Sequence, residues 1–142
     1  MPITPSSDAV LVVVDVQNSF LPGGSLAVPD GDQVIPVVNR IAKAFRDVVL
    51  TQDWHPAGHI SFASSHPGRA PFETIELSYG TQVLWPDHCV QGSEGAAFHE
   101  RLDIPQAQLI VRKGHNPLVD SYSAFIEADA VTSDGMHRQQ SL

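Results

Sequence analysis

The longest apolar runs in the chain predict three β-strands. The first covers Ala9–Val14 and ends at Asp15, the second covers Val48–Thr51, and the third centres on Leu109–Val111. Continuous β-branched and aliphatic residues without alternation are typical of parallel strands that are buried on both faces. We therefore expect an α/β fold built on a parallel sheet.

A helix is predicted between the first two strands. Asp32 stands where an N-cap residue is expected, and Pro36 falls in the first turn, where its missing N–H costs least. Apolar residues then repeat at helical spacing. They are Val34, Ile35, Val38, Ile41, Ala42 and Phe45. A strand, a helix and a strand in this order predict a right-handed crossover between parallel strands.

The remainder of the chain has no such periodicity. Residues 52–107 are rich in Pro, Gly, His and Ser. A loop this long in a compact domain is usually functional or disordered, and its aromatic and histidine content favours function. Residues 127–142 carry few apolar positions, which predicts a disordered tail. We therefore expect one domain over residues 1–126, followed by a divergent tail over residues 127–142.

Composition and charge narrow the class of protein. The chain has 142 residues, a formal net charge of −8 and only eight Lys and Arg residues, so it lacks the basic patch that nucleic-acid binding needs. No apolar run approaches the roughly 18 residues that span a bilayer. The single cysteine, Cys89, fits a reducing compartment. We expect a cytoplasmic protein without a nucleic-acid or membrane partner.

Each predicted strand is followed directly by ionisable side chains that could take part in catalysis or metal binding. Asp15 follows the first strand, Asp53 and His55 follow the second, and Lys113 follows the third. In open α/β sheets, ligands bind outside the carboxyl ends of the strands. If the strands are parallel and adjacent, these groups meet at one rim and form a site.

A metal site is one interpretation of the residues after the second strand. Asp53 and His55 are two positions apart on extended backbone, so both side chains point the same way. The turn at Pro56–Gly58 brings His59 round, and His88 could complete the set from the long loop. Carboxylate and imidazole are suitable metal ligands. The alternative is that these are surface polar residues, and the spacing does not decide between the two.

Lys113 and Cys89 each admit two interpretations. Lys113 could support a base or a thiolate beside Asp15, or it could extend its amine to solvent. Cys89 is adjacent to His88, but sequence neighbours rarely have the geometry of a catalytic pair, so a structural cysteine is favoured. The residues alone identify no nucleophile.

Four segments, in order along the chain, resemble the motifs of nicotinamidases, within the isochorismatase-like cysteine hydrolase superfamily. They are Val14–Leu26, Asp53–Phe62, Trp85–Ser93, and Arg112–Gly114 taken together with Asp120–Phe125. The resemblance implies a Rossmann-like parallel sheet with flanking helices, in which the first strand is central. The metal segments also argue against the isochorismatase branch of the superfamily.

The resemblance implies the activity and the roles of the residues. Nicotinamide and water would give nicotinate and ammonia, in NAD salvage. Asp15 would be the general base that takes a thiol proton, and Lys113 would support the developing charge. A divalent metal, zinc in the first place with iron or manganese as alternatives, would orient the pyridine ring. The resemblance assigns metal binding to Asp53, His55 and His88, less firmly to His59, and the pocket walls to Phe20 and Trp85.

The chain departs from the family in two places. Ser19 stands where the family usually has Asp. Nothing after Phe125 resembles the family segment that bears the nucleophilic cysteine, and Cys89 matches a different family cysteine. We therefore expect a C-terminally truncated or altered member with an incomplete sheet, in which the first strand lies at an edge. The alternatives are a catalytically inactive metal- or nicotinamide-binding fragment, a chain that self-associates or pairs with a full-length homologue, and an amidohydrolase for another carboxamide.

Overall fold

The computed structural model describes residues 4–129, which form an α/β fold around a three-stranded parallel sheet. Its strands are β1 (Val10–Val14), β2 (Asp47–Asp53) and β5 (Ala107–Lys113), in the order β1-β2-β5. All three predicted strands are confirmed, and both pairs are parallel. Most of the predicted tail, residues 130–142, lies outside the described range.

The predicted helix between β1 and β2 is confirmed as α1 (Val34–Ala42), but its start was predicted wrongly. A 3₁₀ turn, Gly31–Gln33, precedes it. Asp32 lies inside this turn and makes an exposed ion pair with Arg101 (3.1 Å), so it does not cap the α-helix. Neither α1 nor any shorter helical turn within residues 4–129 has the length and apolar character needed to cross a membrane.

The hydrophobic core lies between α1 and one face of the sheet. Ile35 and Ala42 of the helix pack with alternate residues of the strands, and Ile104 closes the end of the cluster. The remaining buried members are Val13, Val16, Leu21, Val48 and Leu50. This packing holds the three strands in place relative to one another. It thereby positions the polar groups that follow their carboxyl ends.

The expectation that β1 is buried on both faces was wrong. Val10, Val12 and Val14 share the face away from α1 and are 51%, 41% and 63% exposed. The core and α1 cover the other face, and within residues 4–129 little packs over this one. In addition, β1 lies at the edge of the sheet, next to β2 alone, as we expected for an incomplete sheet. An exposed apolar edge strand presents unpaired backbone groups to other chains, so it favours association.

The long segment between β2 and β5 contains a hairpin that the sequence did not reveal. Strands β3 (Thr74–Leu77) and β4 (Gly80–Val83) pair antiparallel across a two-residue loop. The rest of the segment is irregular, as predicted. The hairpin directs one side chain, Gln82, into the interior beside the site described next.

Candidate active site

Polar side chains from the ends of all three parallel strands meet at one rim. The register sets Asp53 beside Lys113, and the Lys113 Nζ donates to Asp53 Oδ1 at 2.7 Å. The same ammonium lies 2.9 Å from Asp15 Oδ2, while the Thr51 hydroxyl donates to Asp15 Oδ1 at 2.7 Å. Asp15 turns off β1 with a φ of 51°, a left-handed conformation that aims its carboxylate at Lys113. The lysine therefore bridges two carboxylates.

The charges of this bridge are stabilised by their neighbours. Lys113 is only 4% exposed, so it does not extend its amine to solvent. Burial alone would lower the pKa of Lys113, but Asp53 and Asp15 raise it above its ordinary value. Burial would likewise raise the pKa of Asp53, yet hydrogen bonds from His55 and His88 and the charge of Lys113 hold it well below its usual range. Lys113 and Asp53 are therefore ionised at neutral pH.

The two buried imidazoles of His55 and His88 face the other oxygen of Asp53. The Nδ1 of His55 donates to the carbonyl of Gly114 (2.9 Å), and the Nδ1 of His88 donates to the carbonyl of Pro86 (2.8 Å). Because a carbonyl can only accept a hydrogen bond, each Nδ1 carries a proton. The Nε2 lone pair is then free whenever the ring is neutral. Those Nε2 atoms lie 3.3 and 3.4 Å from Asp53 Oδ2.

This arrangement has the chemistry of a metal site. Three acceptor atoms, from Asp53, His55 and His88, lie within 4.8 Å of one another, and all three residues are buried. Although burial would lower the pKa of His55, its hydrogen bond to Asp53 and the charge of Asp53 raise it. The carboxylate therefore favours a positive charge at Nε2, which is either a proton or a metal ion in its place. Each histidine also has the backbone carbonyl partner that orients metal-binding imidazoles. The residues therefore fit a divalent metal with nitrogen and oxygen ligands.

His59 lies beside this group without joining it. Its ring is 4.4 Å from that of His55, but the backbone N–H of Ser61 donates to His59 Nδ1 (3.2 Å). Its Nε2 donates to the carbonyl of Asn116 at 2.8 Å. Burial, followed by the charge of His55, lowers the pKa of His59, which favours the neutral ring. With both nitrogens in use, His59 braces the loops around the site.

The backbone at Gly114 admits no side chain. Its φ is +68°, and a Cβ atom there would overlap the imidazole ring of His55. The same residue supplies the carbonyl that orients His55. Gly114 therefore sets both the position and the tautomer of this imidazole.

Substituting Gly114→Ala is accordingly expected to displace His55 and to weaken the binding of a divalent metal by about 10- to 100-fold, the usual cost of disturbing the group that orients a ligand. Competition with a chromophoric chelator measures the affinity. Gly68→Ala is the matched control, because Gly68 has a φ of +79° with nothing within 4 Å of its added Cβ. Equal losses in both variants would show that backbone strain, and not His55, accounts for the effect.

A small cavity of about 270 Å³ opens beside the histidines and Lys113. Phe20 and Trp85, to which the resemblance assigns the pocket walls, are among its lining residues, and the Phe20 ring lies 5.6 Å from that of His88. Drug-sized ligands occupy pockets of roughly 300–1,000 Å³, so this cavity suits a smaller molecule. Sequence reasoning assigned no role to four further lining residues, although all four belong to the quoted motifs. They are Leu26, Asp120, Ser121 and Tyr122.

Gln17 holds the metal segment in place, another role that the sequence did not indicate. Its buried amide nitrogen donates to the carbonyl of Asp53 (2.8 Å), and its amide oxygen accepts from the Asp53 N–H (2.7 Å). The side chain thereby acts as a strand partner for this one residue. Asp53 is thus fixed through its backbone as well as through its carboxylate.

Cys89 lies outside the cavity lining and is buried. Burial, followed by the charge of Asp53, raises the pKa of its thiol to about 12. A thiol with this pKa stays protonated at neutral pH and is a poor nucleophile. The Cys89 N–H donates to the buried Ser19 hydroxyl at 3.0 Å, so the residue that departs from the family pattern supports this turn.

Family models, curated relatives and solved structures all match this chain to the same family of proteins. The isochorismatase domain family matches residues 9–130. A nicotinamidase of Acinetobacter baylyi is 58% identical over 131 residues, which cover 92% of this chain and 61% of that protein.

Solved structures agree with this. A nicotinamidase/pyrazinamidase of Acinetobacter baumanii has a TM-score of 0.88 and 62% identity, over 92% of this chain and 63% of the other. A pyrazinamidase of Pyrococcus horikoshii in complex with zinc has a TM-score of 0.64 and 39% identity, over 82% and 57%. The chain thus spans about three-fifths of the length of these proteins. It belongs to the isochorismatase family, and the relatives that it resembles there are nicotinamidases.

Proposed function

We propose that this site is that of a nicotinamidase-type amidohydrolase, which converts nicotinamide and water to nicotinate and ammonia. The observation that carries the proposal is the metal-suited group Asp53–His55–His88 next to the Lys113–Asp15 pair, all lining one small cavity with aromatic walls. The similarity to nicotinamidases supports the same substrate. In the cytoplasm, the compartment that the single unpaired cysteine favours, this activity would serve NAD salvage.

Asp53, His55 and His88 would hold the metal ion. The ion would supply a Lewis acid for the pyridine nitrogen and so orient the ring. Zinc is supported by the nitrogen and oxygen donors and by the zinc complex of the Pyrococcus relative, and iron or manganese could use the same ligands. We leave His59 out of the ligand set because both of its ring nitrogens have protein partners.

Asp15 and Lys113 would perform the proton transfer. The carboxylate of Asp15 is fixed by two partners, Thr51 on one oxygen and Lys113 on the other, so it points into the cavity in a defined direction. When Asp15 takes a proton, Lys113 keeps Asp53 as its counter-charge. The proton is then available to the leaving ammonia. Phe20 and Trp85 would flank the flat carboxamide.

The reaction also needs a thiol. Its sulfur would bond to the carboxamide carbon, the C–N bond would break with loss of ammonia, and water would then hydrolyse the thioester to nicotinate. Cys89 is the only cysteine in the sequence and is unsuited to this role. A cavity of about 180 Å³ lies between the edge strand β1 and residues 122–125 and reaches Lys113. A strand entering there, from a full-length homologue, would place a thiol beside that lysine.

The second candidate is binding without turnover. Burial of Cys89 and the raised pKa of its thiol favour it, because the metal ligands and the pocket remain while the nucleophile is missing. In this case the chain would bind a metal ion and nicotinamide and would act, if at all, through association.

Ammonia release from nicotinamide tests the two candidates. The purified chain is supplied with zinc, and Cys89→Ala serves as control. We expect no release above background from the chain alone, together with zinc-dependent binding of nicotinamide in a calorimetric titration. Robust release that Cys89→Ala abolishes would make Cys89 the nucleophile. Pyrazinamide and benzamide are tested as further substrates. Benzamide has no ring nitrogen, so its turnover would point to another carboxamide as the substrate.

Self-association is the expected consequence of the exposed β1 edge. Val10, Val12 and Val14 form an apolar face next to unpaired backbone, so sedimentation should show dimers or larger species at micromolar concentration. Val12→Lys would place a charge on this face and should shift the distribution towards monomer. A compact monomer at all concentrations would contradict the prediction.

A further inference from the structure

Gln82 is a buried amide to which the proposed mechanism assigns no part. It lies on β4 and is 2% exposed. One N–H of its Nε2 donates to the carbonyl of Val83 (2.7 Å), and the other is shared between the carboxylate of Asp120 (2.8 Å) and the hydroxyl of Tyr122 (3.3 Å). Its Oε1 accepts from the hydroxyl of Tyr79 (3.0 Å). A donor on one side and acceptors on the other leave the amide a single orientation.

This oriented amide reaches the wall of the cavity through Tyr122. The Gln82 Nε2 lies 3.3 Å from the Tyr122 hydroxyl, which accepts a hydrogen bond from the Trp85 indole Nε1 at 3.1 Å. The two rings meet edge to face, with centroids 6.3 Å apart. Tyr122 is otherwise 64% exposed, so packing alone does not hold its ring.

Asp120 supplies a firm anchor for the amide. Its carboxylate is buried and lines the cavity, and its second oxygen accepts from the N–H of Ser121 at 2.8 Å. Gln82 is thus fixed to a buried group on one side and contacts the exposed Tyr122 on the other, where the Tyr122 hydroxyl also hydrogen-bonds to Asp120.

We propose that Gln82 is the positioning residue of the aromatic wall: its amide, anchored on Asp120, holds the Tyr122 hydroxyl where it receives the Trp85 indole. The consequence for a ligand rests on the proposed function, because a flat carboxamide would lie against Trp85. Without the amide, the wall loses its fixed geometry, and affinity for nicotinamide falls roughly tenfold, the effect of about one hydrogen bond.

The indole resonances of the two tryptophans test the geometry without any ligand. In Gln82→Met, which keeps the side-chain length and removes the amide, the Trp85 indole N–H signal should shift and exchange faster with water. Tyr122→Phe identifies that signal by removing its acceptor. Trp54, which stacks under Arg112 at 3.9 Å, is the internal control and should not move. An unchanged Trp85 indole signal in Gln82→Met would overturn the proposal.

Tyr79→Phe keeps the test valid if Gln82→Met does not fold. It leaves the amide in place and removes its orienting donor, so a smaller shift of the same Trp85 signal is expected, and no shift would count against the proposal.

Titrations with zinc and then nicotinamide distinguish a role in positioning the wall from a purely structural role of Gln82. Weaker nicotinamide binding with unchanged zinc affinity supports wall positioning, whereas a parallel loss of zinc affinity makes Gln82 merely structural. If the unaltered chain binds no nicotinamide, the proposed function fails, while the indole signals still decide the role of Gln82.

Discussion

Replacing Lys113 with methionine is expected to lower the free energy of unfolding by about 3–5 kcal/mol, the cost of leaving a buried charge without its partner. The lysine ammonium lies 2.7 Å from Asp53, which is buried with it, and 2.9 Å from the partly buried Asp15. Methionine fills nearly the same volume, so packing is preserved and the change is electrostatic. Two carboxylates would then face each other without a counter-charge.

Urea denaturation of the metal-free chain measures this effect. Lys43→Met is the matched control, because Lys43 is the only other lysine in the sequence and is exposed at the end of α1. It should stay within about 0.5 kcal/mol of the unaltered chain. Adding Asp53→Asn to Lys113→Met removes one of the unpaired charges and should restore part of the stability. Equal losses for the two lysine variants would mean that the bridge contributes no specific stability.

The convergence of Asp15, Asp53 and Lys113 could be predicted from the sequence because it follows from strand geometry. Each group comes at the end of a continuous apolar run, and parallel neighbours in a sheet bring their carboxyl ends to one rim. Only the adjacency of the strands had to be assumed. The pairing of Asp53 with Lys113 is a matter of register, and one residue of slip would have turned these side chains to opposite faces.

The surroundings of the site could not be predicted in the same way. Gln82 and Asp120 are 38 residues apart and meet only because a hairpin and a loop fold over each other. The hairpin joins Leu77 to Gly80 through Ser78 and Tyr79, which lack the Asn-Gly or Asp-Gly signal of a tight turn. Its strands have only four residues each, too few to show a period. Patterns over a few neighbouring residues do not predict contacts between segments that are far apart in the sequence.

The sequence also could not decide whether His59 is a metal ligand. His55, His59 and His88 are all imidazoles near one carboxylate, and sequence spacing does not decide which of them bind a metal. What separates them is which ring nitrogen has a partner. Carbonyls take the Nδ1 protons of His55 and His88, whereas His59 accepts from Ser61 at Nδ1 and donates from Nε2. These partners are backbone groups, so no side-chain pattern encodes them.

Zinc binding should therefore depend on His88 far more than on His59. In His88→Ala, one of three converging ligand atoms is lost, and the affinity should fall by more than the roughly 100-fold that a displaced supporting group can cost. His59→Ala removes a brace and no ligand, so its loss should stay within that range. If His59→Ala lost as much zinc affinity as His88→Ala, His59 would have to be counted among the ligands.

The same difference should appear in stability, because an ion that binds only the folded chain raises the free energy of unfolding. Free zinc at 100 times its dissociation constant should add about 2.7 kcal/mol to the unaltered chain. At that zinc concentration His88→Ala should gain almost nothing, while the exposed control His115→Ala should gain the full amount. Thermal unfolding with zinc and with chelator measures both gains. Stabilisation of His88→Ala equal to that of His115→Ala would place the zinc ion elsewhere, since Asp53 and His55 alone offer too few ligands for tight binding.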